Sequence, residues 1–143
     1  MAREAHTIAI DAGPAECFEA LIDYESMEEW QSSVKRVEVL ERDAEGRGAT
    51  VAWELDAKVK RISYTLAYEY DPPSRIVVGF VEGDVKDLHG TYDFEGPAAG
   101  PTEVTFELDI EPGMWVPGPV KKILKNEVMA RSLKDLKKRV ESA

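Results

Sequence analysis

Aromatic side chains are the residues whose type and spacing best suit chemistry in this sequence. Several recur at alternate positions of predicted strands, and alternation is typical of a strand with one buried face. The set comprises Trp30, Trp53, Tyr64, Tyr68, Phe80, Tyr92 and Phe106, with Met114 and Trp115 at the mouth of the same space. The three tyrosines could donate hydrogen bonds to a carbonyl or quinone oxygen. The pattern favours a pocket lined by aromatic rings, although core filling is the alternative for any single ring.

A pocket of ligand size would be costly to keep empty. A cavity of about 300 Å³, at about 24 cal/mol per Å³, would forgo on the order of 7 kcal/mol of packing free energy. That is comparable to the whole stability of a domain. Such a space would therefore be kept for a ligand. Gly90 lies on the same predicted face as Leu88 and Tyr92. We interpret Gly90 as part of the pocket floor, and a bend or bulge of the sheet explains it equally well.

Acid–base and metal chemistry receive less support. His89 lies between Leu88 and Gly90, so alternation turns it outward. We expect no carboxylate to be placed where it would orient either His89 or His6. A general base needs an orienting partner, so we interpret both histidines as surface or strand-end residues. Two isolated histidines and the lone Cys17 match no metal-ligand spacing. We predict no catalytic residue, no metal and no cofactor.

Most strand carboxylates fall opposite the aromatic face. They are Glu54, Asp56, Glu69, Asp87, Asp93, Glu107 and Asp109. We interpret them as solvated charges. A cyclase or dehydratase would need an acid or base facing its substrate, and the inward positions offer mainly tyrosine phenols, whose ordinary pKa is about 10.

Charge excludes some partners. The chain has 18 Lys and Arg against 28 Asp and Glu, a net charge of −10, which disfavours nucleic acid and anionic membrane surfaces. Residues 119 to 143 are the exception, with 8 basic and 3 acidic side chains. We interpret these basic residues as the solvated outer face of a helix, and a docking surface for an acidic partner or a membrane is the alternative.

The elements that would position the aromatic residues follow from periodicity. We predict a strand over 5–11, a helix over 14–22, a second short helical stretch over 23–30, six strands between Val34 and Ile110, and a terminal helix over 119–141. Turn residues separate the strands at 43–48, 71–74, 83–84 and 96–101. The length of 143 residues fits one domain. We expect a cytoplasmic protein, because no signal-peptide or membrane-spanning run is present and Cys17 has no disulfide partner.

This order leaves a curved sheet whose apolar face only the terminal helix is long enough to cover. The chain resembles the START-like or SRPBCC superfamily, in its polyketide cyclase/dehydrase and coenzyme-Q-binding-protein-like branch. The resemblance is carried by I-A-I-D-A-G-P-A-E-C-F-E-A-L-I-D-Y-E (8–25), Trp30, V-K-R-V-E-V-L-E-R-D (34–43), H-G-T-Y-D-F (89–94) and L-K-D-L-K-K-R-V-E (133–141). It implies an α+β helix-grip fold, in which the curved antiparallel sheet wraps around the C-terminal helix.

Three functional hypotheses follow. The favoured one is non-catalytic binding, as carrier or sensor, of a small hydrophobic ligand, and the resemblance implies an isoprenoid, fatty-acyl or polyketide-like molecule. Leu124 and Val128 of the roofing helix would join the aromatic residues and Gly90 in the pocket wall. The first alternative is a polyketide cyclase or dehydratase. The second is a regulatory protein-interaction module in which the aromatic residues only fill the core. We expect no nucleic-acid partner and no stable membrane insertion.

Overall fold

The computed structural model describes residues 3–56, 61–111 and 129–142. The first part of the chain forms β1 (Arg3–Ile10), α1 (Pro14–Leu21), a 3-10 turn (Tyr24–Ser26) and α2 (Met27–Trp30). Six strands follow, namely β2 (Val34–Arg42), β3 (Gly48–Asp56), β4 (Arg61–Asp71), β5 (Arg75–Gly83), β6 (Asp87–Glu95) and β7 (Thr102–Glu111). The last described element is α3 (Met129–Glu141).

The strands form one seven-stranded sheet in the order β1-β7-β6-β5-β4-β3-β2. All neighbours are antiparallel, and β1 pairs with β7. From β2 to β7 each strand pairs with the next one in the sequence, which is the meander that closely spaced Gly, Pro and Asp residues predict. The strand count, the two short helices after β1 and the helix-grip arrangement confirm the prediction from sequence.

Helix α1 covers one end of the inner face of the sheet. Pro14 occupies its first turn, where the missing N–H removes no helical hydrogen bond. Cys17, Phe18 and Leu21 recur at helical spacing and are buried. The Phe18 ring meets Tyr70 and Phe94 edge to face, with centroid distances of 6.0 and 5.7 Å. This end of the core is therefore filled by a side chain from the helix.

Helix α3 packs along the sheet through Met129, Leu133, Leu136 and Val140, which are all buried. Their spacing of three and four residues makes one apolar stripe. The predicted helix over 119–141 is thus seen from Met129 onward, and residues 119–128 lie outside the described residues.

Polar contacts fix α3 to the rest of the molecule. Asp135 Oδ2 accepts hydrogen bonds from Ser32 N at 2.9 Å and Ser32 Oγ at 2.8 Å. Gln31 Nε2 donates to the Ser132 carbonyl at 3.1 Å. Lys137 Nζ donates to the Ala9 carbonyl at 2.8 Å. The segment after α2 and the end of β1 are therefore both attached to α3. Among the described residues, no helix has the length and apolar character needed to cross a membrane.

Candidate functional site

A cavity lies between the inner face of the sheet, the segment from α1 to β2, and α3. The space inside it that the centre of a water molecule can occupy is about 90 Å³. Its aromatic wall residues are Tyr24, Trp53, Tyr64, Tyr68, Tyr92 and Phe106. Its aliphatic wall residues are Leu21, Met27, Val34, Leu55, Leu66, Ile76, Val78, Leu88, Leu108, Ile110 and Met129. The polar ones are Gln31, Ser33 and Ser132, so no described residue of the wall carries a formal charge at neutral pH.

Strand register brings the aromatic residues together. Trp53 on β3 pairs with Tyr64 on β4, and Tyr92 on β6 pairs with Phe106 on β7. Directly paired residues of antiparallel strands project from the same face. The Tyr92 and Phe106 rings stack, with centroids 4.1 Å apart and planes 13° from parallel. Period-two alternation thus places these four rings on the wall of one cavity.

Tyr24 enters the same space from the 3-10 turn. Its ring lies 5.7 Å from Trp53, edge to face, and 5.0 Å from Tyr68. Its hydroxyl is 2.7 Å from the Tyr70 hydroxyl, which in turn donates to the Gly48 carbonyl at 2.5 Å. Because Tyr70 gives its only hydroxyl hydrogen to Gly48, Tyr24 is the donor to Tyr70. The Tyr24 hydroxyl is therefore already used within the protein.

Burial keeps the phenols of the cavity neutral. Desolvation is the main cause that raises the pKa of Tyr64, Tyr68 and Tyr92 above the usual value, and Tyr92 further disfavours ionisation of the other two. For Tyr92 the nearby Ser132 side chain offsets part of this rise in pKa. A neutral phenol donates a hydrogen bond but is a poor base at neutral pH. These side chains can therefore bind and orient an oxygen-bearing molecule.

Two buried donors in the wall have no hydrogen-bond partner among the described residues. They are Ser33 Oγ and the Trp53 indole Nε1. The indole N–H slightly lowers the pKa of Tyr68, so the two groups are close, but they do not reach hydrogen-bond geometry. Buried polar groups are usually satisfied, and leaving one unpaired costs about 1–3 kcal/mol. Both residues line the cavity, and each leaves one buried donor unsatisfied.

The expected pocket residues divide into three groups. Trp53, Tyr64, Tyr68, Tyr92 and Phe106 line the cavity. Trp30 and Phe80 do not, although both are half-buried and pack against the hydrophobic core. Met114, Trp115, Leu124 and Val128 lie outside the described residues.

Gly90 does not line the cavity either. A Cβ built on it would lie 2.3 Å from the Glu107 carbonyl oxygen of β7. The missing side chain therefore admits the neighbouring backbone, in line with the bend that was the alternative explanation for this glycine.

Sequence reasoning missed Tyr24, Gln31, Ser33 and Ser132 as wall residues. Tyr24, Gln31 and Ser33 come from short non-strand segments, where no two-residue period marks an inward side chain. Ser132 is a polar residue one position before Leu133 on α3, next to its apolar stripe. Only the register between helix and sheet brings it to the cavity.

Neither histidine lines the described part of the cavity. His89 is 48% exposed on the outer face, with Nδ1 3.6 Å from Asp87 Oδ2 and Nε2 3.6 Å from Asp109 Oδ2. The expectation that no carboxylate flanks it was wrong, because Asp87 stands two residues away on the same strand face. His6 is half-buried and pairs with Phe106 across β1 and β7. It faces inward, beside the cavity wall but not part of it.

The described residues bring no three His, Cys, Asp or Glu side chains together in a way that would hold a metal ion. A curved antiparallel sheet closed by a C-terminal helix defines a helix-grip protein. Residues 10–137 match the model of one family with this architecture, described as polyketide cyclase / dehydrase and lipid transport. The chain belongs to this family.

Solved structures agree with that assignment at the level of the fold. A START superfamily protein from Mycobacterium smegmatis superposes with a TM-score of 0.86 at 22% identity, covering 98% of this chain and 97% of that one. A protein from Thermus thermophilus gives 0.84 at 25% identity, covering 99% and 98%. An aromatase/cyclase from Streptomyces sp. R1128 gives 0.83 at 17% identity, covering 98% and 93%. A search of curated proteins finds no significant match.

Proposed function

We propose that this protein binds a small hydrophobic molecule in the cavity between sheet and C-terminal helix, as a carrier or sensor rather than as an enzyme. The observation that carries the proposal is the cavity itself, whose described wall is apolar or neutral throughout. A fully packed core would gain the dispersion contacts that this space forgoes. Occupation by an apolar ligand restores them. Family membership supports a hydrophobic ligand, since the description of the family names lipid transport beside polyketide cyclase / dehydrase.

The titratable groups of the wall favour binding over catalysis. In the described wall they are tyrosines, and burial raises the pKa of each phenol that borders the cavity. General acid–base catalysis works best with a group whose pKa is near the working pH. Glu4 and His6 face inward on β1, opposite Leu108 and Phe106, but neither lines the cavity. Hydrogen bonding by neutral phenols suits orientation of a ligand.

The test fills the cavity by mutation. Val78 lines the cavity and is 4% exposed, so Val78→Phe would place a ring in space that a ligand needs. We expect the affinity for the neutral fluorescent probe N-phenyl-1-naphthylamine to fall by at least about tenfold, a loss of about 1.4 kcal/mol. The free energy of unfolding, measured with denaturant, should fall less than it would for the same substitution in a packed core, because the new ring has room.

Val104→Phe is the matched control. Val104 is fully buried on the same face of the sheet but does not line the cavity. Overpacking there should destabilise the fold by about 1–3 kcal/mol and leave probe affinity of the folded protein unchanged. Wild-type affinity in a folded Val78→Phe variant would count against a binding cavity. Catalytic turnover of a linear poly-β-ketone by the wild type, lost in Tyr92→Phe, would overturn the non-catalytic role.

A further inference from the structure

We propose that the cavity selects neutral molecules that carry a hydrogen-bond-accepting oxygen, and discriminates against anions such as free fatty acids, with the Trp53 indole N–H and the Ser33 hydroxyl as the selecting donors. This inference rests on the proposed binding function and narrows the class of ligand. It uses two features that the binding proposal leaves unexplained. They are the lack of charge in the described wall and the two unpartnered donors.

The first step concerns charge. No described wall residue is a lysine, arginine or histidine that could pair with a carboxylate. An ionised carboxylate moved from water into such surroundings loses hydration that a few neutral donors replace only in part, and an unpaired buried ion is penalised by several kcal/mol. The net charge of −10 adds repulsion at long range. An anion is therefore penalised where its uncharged analogue is not.

The second step concerns the donors. Ser33 is 4% exposed, lines the cavity and has an unpartnered Oγ, and the buried Trp53 Nε1 has no hydrogen-bond partner either. An indole nitrogen can only donate. A ligand oxygen that accepts from it removes the penalty of an unsatisfied buried donor. A pure hydrocarbon would leave that penalty in place.

The third step concerns where these donors lie. Ser33 immediately precedes β2, and Trp53 pairs with Val37 of β2 and with Tyr64 of β4. Tyr68, on the same inner face of β4, adds a neutral phenol. Val78, Leu88, Leu108 and Ile110 of β5 to β7 are aliphatic wall residues. The two unpartnered donors thus lie on the β2 to β4 side of the cavity, whereas the Tyr92 phenol of β6 lies beside Ser132. The β2 to β4 side therefore fits the oxygen end of a molecule with a hydrophobic body.

Three matched ligands test the selection by displacing N-phenyl-1-naphthylamine at pH 8. The first is 2-acetylnaphthalene, which carries a ketone oxygen. The second is 2-naphthoate, an anion of the same shape. The third is 2-ethylnaphthalene, which lacks the oxygen. We expect the ketone to bind at least about 30-fold more tightly than the naphthoate, since a buried unpaired charge is strongly disfavoured. Equal affinities of ketone and naphthoate would overturn the charge selection. Absence of saturable probe binding would instead refute the proposed binding function.

Variants test the donors. In Trp53→Phe and in Ser33→Ala we expect the affinity ratio of ketone to ethyl compound to fall by about 3- to 10-fold, the usual range for one lost hydrogen bond. Ser33→Ala removes an unpartnered buried hydroxyl, so it should fold at least as stably as the wild type. Trp30→Phe is the matched control, because Trp30 Nε1 donates to Ser26 Oγ outside the cavity wall. An unchanged ratio in both Trp53→Phe and Ser33→Ala would overturn the role of the donors.

Discussion

The two ends of the sheet's inner face use the same kinds of side chain with opposite results. At the end under α1, which we call the filled end, Ile10, Cys17, Phe18 and Val104 are fully buried and Phe94 nearly so. At the other end, which we call the open end, Trp53, Tyr64, Tyr68 and Tyr92 stay partly exposed around the cavity. Phe18 fills the first end from above. At the second end the Tyr24 ring packs against Trp53 and Tyr68, but the cavity remains beside it. One hydrophobic inner face is therefore filled at one end and partly open at the other.

The largest expected effect is alkaline unfolding, because tyrosines occupy both ends. All five tyrosines have a raised pKa, mainly through burial, and that of Tyr70 is raised to about 12. The unfolded chain ionises first, near pH 10. The stability contributed by these neutral phenols is therefore complete below pH 10 and is lost as the pH rises through 12 and beyond. Each phenol contributes up to about 1.4 kcal/mol of loss per pH unit above 10.

Phenolate absorbance at 295 nm, followed together with near-ultraviolet circular dichroism, measures this effect. We expect little phenolate at pH 10 and a cooperative rise that coincides with unfolding. Free tyrosine in the same buffers provides the reference titration. A gradual rise centred at pH 10 in a protein that stays folded would contradict the burial of these phenols.

Removal of a ring at each end sharpens the comparison. Phe18→Ala should reduce the free energy of unfolding by about 3–5 kcal/mol and leave probe affinity within about threefold, because Phe18 does not line the cavity. Phe106→Ala at the open end should cost less, since Phe106 already borders empty space, and should change probe affinity. Equal losses of stability, measured by urea unfolding, would remove the distinction between the two ends.

The sequence predicts the inner face but not which end is filled. Alternation identifies Trp53, Tyr64, Tyr92 and Phe106 as inward residues because a strand repeats every two residues. The same rule predicts Phe80 equally well, yet Phe80 packs against the core without lining the cavity. Which ring meets empty space depends on what lies above it. That is set by long-range packing, which strand periodicity does not encode.

The fold was more accessible to sequence reasoning than the site. Turn residues separate most of the strands, and β2, β4, β5 and β6 each end within one residue of a predicted turn. No turn is predicted after β3, which ends at Asp56. The site also uses Tyr24, Ser33 and Ser132, which the chain brings together from separate elements. The position of these three residues at the cavity wall depends on the docking of α3 and of the segment before β2, which no local sequence pattern encodes.

Gly90 gives a smaller effect that tests the sheet between the two ends. Its absent Cβ would lie 2.3 Å from the Glu107 carbonyl oxygen, so Gly90→Ala should destabilise the fold by about 1–3 kcal/mol, as for other overpacked sites. Gly79→Ala is the matched control, since nothing lies within 4 Å of its Cβ position, and alanine there should be neutral or stabilising by up to about 1 kcal/mol. The thermal unfolding midpoints of the two variants, compared with the wild type, measure this difference in stability. A stable Gly90→Ala protein with weakened probe binding would restore Gly90 to the pocket floor.

The smallest effect is expected where the two ends meet, at the hydrogen bonds from Tyr24 to Tyr70 and from Tyr70 to the Gly48 carbonyl. Tyr24 lines the cavity, whereas Tyr70 contacts Phe18 at the filled end. Tyr24→Phe removes one donor and leaves the bond to Gly48 intact, so it should cost about 0.5–1.5 kcal/mol.

Tyr70→Phe is the matched comparison, because it leaves both the Tyr24 hydroxyl and the Gly48 carbonyl without this partner and should cost about 1–3 kcal/mol. Urea unfolding of the two variants and of the double variant measures the coupling between the hydroxyls. If the double variant loses no more stability than Tyr70→Phe alone, Tyr24 acts through Tyr70, and the two ends of the inner face are linked by this chain. Additive losses would instead show that the ends are energetically independent despite the 2.7 Å contact.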